Sequence, residues 1–77
     1  MILNDFVKEK GISYYQIAQA FDKDPVAFHN HIKKKVIGEK TMTKNEYLEL
    51  ISILTQLTGV QLEPSMFDYE VERLKVK

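Results

Sequence analysis

Apolar positions recur along the chain at helical spacing, separated by polar turns. Leu3, Phe6 and Val7 stand at i, i+3 and i+4, one face of a helix, and Gly11 follows as a stop. This predicts a first helix from Leu3 to Lys10. Ser13 can cap a second helix, Tyr14 to Phe21, because its hydroxyl can accept from an open amide of the first turn. Ile17 and Phe21 share a face of it, beside the small Ala18. Asp22-Lys23-Asp24 follows. Aspartate tolerates left-handed backbone better than most residues, so Asp22 can close this helix. Asp24 can cap the next one, and Pro25 suits its first position, where no amide hydrogen is needed. Phe28 and Ile32 are the apolar pair of that third helix.

Val36 to Met42 reads as a loop around Gly38. Thr43 with Glu46 three residues later is a capping box, which predicts a fourth helix running to about Thr58 before Gly59. Tyr47, Leu48, Leu50, Ile51, Ile53, Leu54 and Leu57 give this helix more than one apolar face. A helix of that kind packs a core and keeps surface for something else. Pro64-Ser65-Met66-Phe67 reads as a short fifth helix with Pro64 near its start. The expectation is a compact all-α domain of five helices over residues 1–69, followed by a charged tail over residues 70–77. From Asp68 onward, Tyr69, Val71, Leu74 and Val76 follow no single period, so helix and strand both stay open there.

Composition narrows the class. The chain has 77 residues, 44% apolar and 29% charged, which suits one folded domain with a core of marginal size. Glu46, Glu49 and Gln56 interrupt the most apolar region, so no membrane span is expected. MILNDFVKEKG lacks a basic start and a long apolar run, so no secretory signal is expected, and the reading is cytoplasmic. The absence of cysteine excludes disulfides, thiolate metal sites and a cysteine nucleophile.

The net charge is zero but unevenly spread. Residues 1–32 sum to −1, residues 33–44 to +4 and residues 45–77 to −3. Binding to nucleic acid needs a local basic field rather than a basic protein. The local field begins where the third helix ends.

The order of these features resembles a known family. Ser13-Tyr14-Tyr15-Gln16-Ile17-Ala18, the tight turn after Phe21, the short third helix, and Thr58-Gly59-Val60-Gln61-Leu62-Glu63-Pro64-Ser65-Met66-Phe67 resemble the Cro-type, lambda-repressor-like (XRE) helix-turn-helix family. The match covers roughly residues 2–67. Within it, ILNDFVKEKGISYYQIAQAF is similar to the N-terminal autorepressor domain of phage and mobile-element type II-A anti-CRISPR proteins. The resemblance implies a five-helix lambda-repressor-like domain that dimerises and represses its own operon. The family usually carries glycine where Asp22 stands, and apolar residues where Lys23 and His31 stand. Its reading positions near the start of the third helix are usually polar, and here they are Pro25, Val26 and Ala27.

In such a fold the third helix enters the major groove of double-stranded DNA by its N-terminal part. With Phe28 and Ile32 turned inward, Pro25, Val26, His29, Asn30 and Lys33 project outward. Asn30 is suited to bidentate recognition of adenine, His29 to donation toward guanine, and Val26 to contact with a thymine methyl. Lys33, Lys34, Lys35, Lys40 and Lys44 are point charges suited to phosphate, and the Tyr14 hydroxyl is a further phosphate donor. Lysines at a helix C-terminus are also favourable as plain solvated charges.

His29 and His31 diverge on a helix and have no third ligand, so no metal is expected, and His31 reads as half-buried against the core. Glu46 and Glu49 share a face beside a capping position and need no catalytic role. No catalytic triad, phosphate loop or carboxylate pair stands out, so neither an enzyme nor a cofactor is expected.

The leading expectation is a sequence-specific DNA-binding repressor acting as a homodimer on a palindromic operator. Its interface is expected at Tyr47, Leu50, Leu54, Leu57, Met66 and Phe67. One alternative is a protein-binding module, such as an inhibitor or antitoxin, that keeps the fold without reading DNA. Another is a purely structural dimerisation domain.

Overall fold

A computed structural model describes residues 1–69 and Val71. Among them are four α-helices, α1 (Leu3–Glu9), α2 (Tyr14–Ala20), α3 (Pro25–Ile37) and α4 (Lys44–Thr58), and one 3₁₀ turn, Pro64–Met66. The architecture is all-α. The expected charged tail, apart from Val71, lies outside the described residues.

Side chains capping their own helices set the boundaries. The Ser13 hydroxyl accepts from the Gln16 amide at 3.1 Å, while the Gln16 side chain accepts from the Ser13 amide at 2.9 Å. Thr43 and Glu46 repeat this exchange at the start of α4, at 3.2 and 3.1 Å. Asp24 accepts from the Val26 amide at 3.1 Å, with Pro25 at the first position of α3. Each box fixes where a helix begins and so which of its faces meets the core. Asp22 lies at φ 59°, the left-handed turn between α2 and α3.

α2 packs chiefly on α3, α1 also rests on α3, and α4 closes the assembly against α2. The core gathers Leu3, Phe6 and Val7 of α1, Ile17 and Ala18 of α2, Ile32 and Val36 of α3, and Tyr47, Leu50, Ile51 and Leu54 of α4. Met42, Leu62 and Phe67 join it from the connections. Phe21 and Phe28 lie against its edge, 6.1 Å apart by ring centroids.

Two expectations are corrected. The five-helix count falls to four among the described residues, because the chain at Pro64 makes only a single 3₁₀ turn. The Met66 amide donates to the Glu63 carbonyl at 3.0 Å, and Phe67 is already extended at φ −111°, ψ 141°. Extension delivers the Phe67 ring edge-on to Phe6, at 5.3 Å and 70°, and a continued helix would turn it elsewhere. The third helix is also longer than its expected end at Lys35. Val36 and Ile37 are helical, and the connection begins at Gly38, at φ 92°. Burial of Val36 in the core outweighs its weak helix propensity.

Beyond the 3₁₀ turn, the Asp68 amide donates to the Met1 carbonyl at 2.8 Å. Tyr69 stacks on Tyr47 at 5.2 Å and donates its hydroxyl to the carbonyl of Lys35. The segment after α4 is thereby tied to both the start of the chain and the end of α3.

Candidate functional site

α3 has two unlike faces. Phe28, Ile32, Lys35 and Val36 turn toward the core, while Val26, Asn30, Lys33 and Ile37 are exposed. The second set stands at i, i+4, i+7 and i+11, a single stripe along the helix, with Lys34 and Ala27 exposed beside it. The start of the stripe is apolar, with Val26 69% exposed. Its middle is polar and basic. Asn30, Lys33, Lys34, Ile37 and Glu39 line one shallow concavity.

Gly38 reverses the chain after α3, and the Lys40 amide donates to the Lys34 carbonyl at 3.1 Å. This returns the exposed Lys40 to the lysine end of the helix. Among the described residues no carboxylate pairs with Lys33, Lys34, Lys40 or Lys44. On the side of α3 away from the core, Lys33 and Lys34 therefore give a local basic patch, with Glu39 beside them, in a chain of zero net charge.

Lys35 stands apart from the other candidate phosphate ligands. It is 9% exposed, and its ammonium donates to Glu46 of α4. Its charge is matched inside the fold, so the basic surface rests on its neighbours. Glu46 also accepts from the Thr43 amide, and the hydrogen bond from Lys35 holds its carboxyl below the usual carboxylate value.

Tyr14 is engaged as well. Its hydroxyl donates to Asn4 Oδ1 at 2.5 Å, which occupies its one hydrogen, and burial raises its pKa. Pro25 is half-buried at the first position of α3, where it caps the stripe without a donor.

The two histidines differ. Nδ1 of His29 lies 3.0 Å from the carbonyl oxygens of both Pro25 and Val26. His31, on the other flank of α3, is half-buried with its ring 5.1 Å from that of Phe28. Desolvation first, and then Lys35, Lys40 and Lys34, lower its pKa, with Glu46 opposing.

Of the six residues expected at a dimer interface, Tyr47, Leu50, Leu54 and Phe67 are buried in the chain's own core. They are covered before any second copy arrives. Leu57 (42% exposed) and Met66 (39%) remain at the surface. Val60, between them in sequence, is exposed too and was not among the expected residues. Ile37 was also missed. Its place in the stripe follows from its spacing to Val26, Asn30 and Lys33, but only once α3 is known to pass Lys35.

Among the described residues no helix is long and apolar enough to cross a membrane. Comparison with protein-family models, with curated proteins and with solved structures finds no match to this chain.

Proposed function

We propose that this chain is a cytoplasmic, sequence-reading module for double-stranded DNA, a repressor of helix-turn-helix type that works as a homodimer. One observation carries the reading. α3 is anchored along one face and presents Asn30, Lys33 and Lys34 on the other, with the backbone of the exposed Lys40 returned to Lys34. An exposed helix with an amide in its middle and lysines at its end meets the two needs of groove recognition, base-edge hydrogen bonds and phosphate neutralisation. The resemblance of Ser13 to Ala18 and of Thr58 to Phe67 to the XRE family supports the same assignment. The turn at Asp22 supports it too, since it holds α2 across the inner side of α3. No catalytic step, metal or cofactor belongs to the proposal.

The test is a mobility shift against DNA from upstream of the chain's own coding region, at two salt concentrations. Binding should weaken steeply with salt. Replacing Lys33 and Lys34 by Gln should flatten the plot of log affinity against log salt by about 0.9 for each phosphate no longer neutralised. No shift at low salt would remove the proposal.

A second reading has its own observation. Val26 is the most exposed large apolar side chain of the described residues and opens the outward stripe, with Ile37 near its other end. A mixed apolar and basic stripe also suits an acidic protein partner. Under that reading the Lys33 and Lys34 changes alter the salt dependence of a protein association, with no DNA binding to lose.

A further inference from the structure

His29 is bound to its own helix in a way that fixes what it offers outward. Nδ1 sits 3.0 Å from two carbonyl oxygens, those of Pro25 and Val26. Both partners are acceptors only, so Nδ1 must carry the hydrogen and donate to them. In the neutral ring Nε2 then has no hydrogen and is an acceptor. The two ring nitrogens face away from each other, so Nδ1 pointing at the helix backbone turns the Nε2 lone pair away from it. Nε2 has no hydrogen-bond partner among the described residues, and no buried side-chain nitrogen or oxygen there is left without one. Nε2 therefore reaches solvent, beside Val26, Asn30 and Lys33 on the helix surface.

We infer that His29 is a specificity residue that reads a base-edge donor, the exocyclic amine of cytosine or adenine, through Nε2. The inference rests on the DNA-reading proposal above. In the major groove, guanine presents only acceptors on its own edge, N7 and O6, whereas cytosine N4 and adenine N6 present donors. A neutral histidine with its hydrogen held on Nδ1 disfavours guanine, which would set two lone pairs against each other. This reverses the preference that the residue type alone suggests. Asn30, one position on, carries both a donor and an acceptor and keeps its own adenine preference. The pair would thus read adjoining positions by different rules.

Two measurements test this. Two-bond ¹⁵N–¹H correlation spectra of the free protein at pH 8 report the tautomer without any DNA. The hydrogen is expected on Nδ1, and a hydrogen on Nε2 overturns the inference whatever the DNA result. Selection of bound duplexes from a randomised pool, for the parent and for His29→Ala, locates the base position that depends on His29. Cytosine or adenine is expected there, with the preference over guanine falling about three- to tenfold in the variant, the range for one net hydrogen bond. A duplex in which that base lacks its exocyclic amine should bind the parent as weakly as the variant binds the unmodified duplex. It should cost the variant nothing further. A guanine preference, or a preference unchanged in His29→Ala, overturns the inference while the DNA-reading proposal stands. A parent that selects no sequence at all overturns both, even with the hydrogen on Nδ1.

Discussion

Lys35 and Glu46 join α3 to α4 through a hydrogen-bonded ion pair in which the lysine side chain is 11% exposed and the carboxylate 34%. Lys35 belongs to the helix that carries the basic stripe, yet it faces inward. Lys33 and Lys34, which precede it in sequence, face water. Three consecutive lysines therefore hold two kinds of role, and substitutions should separate them.

Glu46→Ala leaves the Lys35 ammonium with little water and removes half of the α4 capping box. It should destabilise the domain by about 2 kcal/mol. That is below the range for breaking a fully buried pair, because solvent still reaches the carboxylate position. Lys33→Gln and Lys34→Gln should each stay within about 0.5 kcal/mol of the parent. Urea unfolding measures all three, and equal losses at Lys33 and Glu46 would mean that the inward pair does not form in solution.

Acid should weaken the fold in two separate windows. His31 is held below its usual 6.5 by desolvation first and then by nearby lysines. Its unfolded form binds the proton more readily, so its share of stability is full above pH 6.5 and declines as pH falls toward the folded value. Glu46 is held below its usual 4.5, mainly by the hydrogen bond from Lys35. Its share is present above pH 4.5 and is lost as pH falls through the folded value. Urea midpoints from pH 8 to pH 3 should fall in two steps, with His31→Gln removing the upper step and Glu46→Gln the lower. A lower step that survives in Glu46→Gln belongs to another carboxylate.

The turn before α3 holds a non-glycine residue in left-handed backbone, Asp22 at φ 59°. A side chain there costs about 1–2 kcal/mol in general, less for Asp and more for a branched residue. Asp22→Gly should leave stability unchanged or raise it by up to ~1 kcal/mol, while Asp22→Val should lower it by ~1–2 kcal/mol. Thermal melts would show this order reversed if the turn used a right-handed conformation.

The 3₁₀ turn sends neighbouring residues to opposite fates. Phe67 is buried edge-on to Phe6, while Met66 is exposed. Phe67→Ala should cost about 3–5 kcal/mol, and Met66→Ala less than about 0.5 kcal/mol. Comparable losses at the two positions would show that the turn continues as a helix.

Leu57 and Met66 are the expected interface residues that remain at the surface. A dimer on two half-sites would place the α3 helices one DNA turn apart (~34 Å). Leu57→Asp with Met66→Asp should convert a micromolar dimer to a folded monomer, whereas Leu50→Asp should unfold the chain. Sedimentation showing only monomer for the parent, with and without DNA, would remove the dimer.

The starts of α2, α3 and α4 are legible in the sequence alone. Ser13 with Gln16, Asp24 with Pro25, and Thr43 with Glu46 each act within one turn, so their effect needs no distant partner. The sequence also determined the inward faces, because the spacing of Leu3, Phe6 and Val7, or of Leu50, Ile51 and Leu54, is a property of one helix. Tertiary structure decided what depends on residues far apart in the chain. The end of α3 was set by burial of Val36, and the fate of Pro64 to Phe67 by the Phe6 ring near the start of the chain. The split among the three lysines followed from Glu46 lying opposite Lys35, which helical spacing on α3 cannot supply. The burial of Tyr47, Leu50, Leu54 and Phe67, expected at an interface, in the chain's own core has the same origin. An apolar side chain looks alike in sequence whether it meets its own chain or another, and only the packed core decides which surface is left.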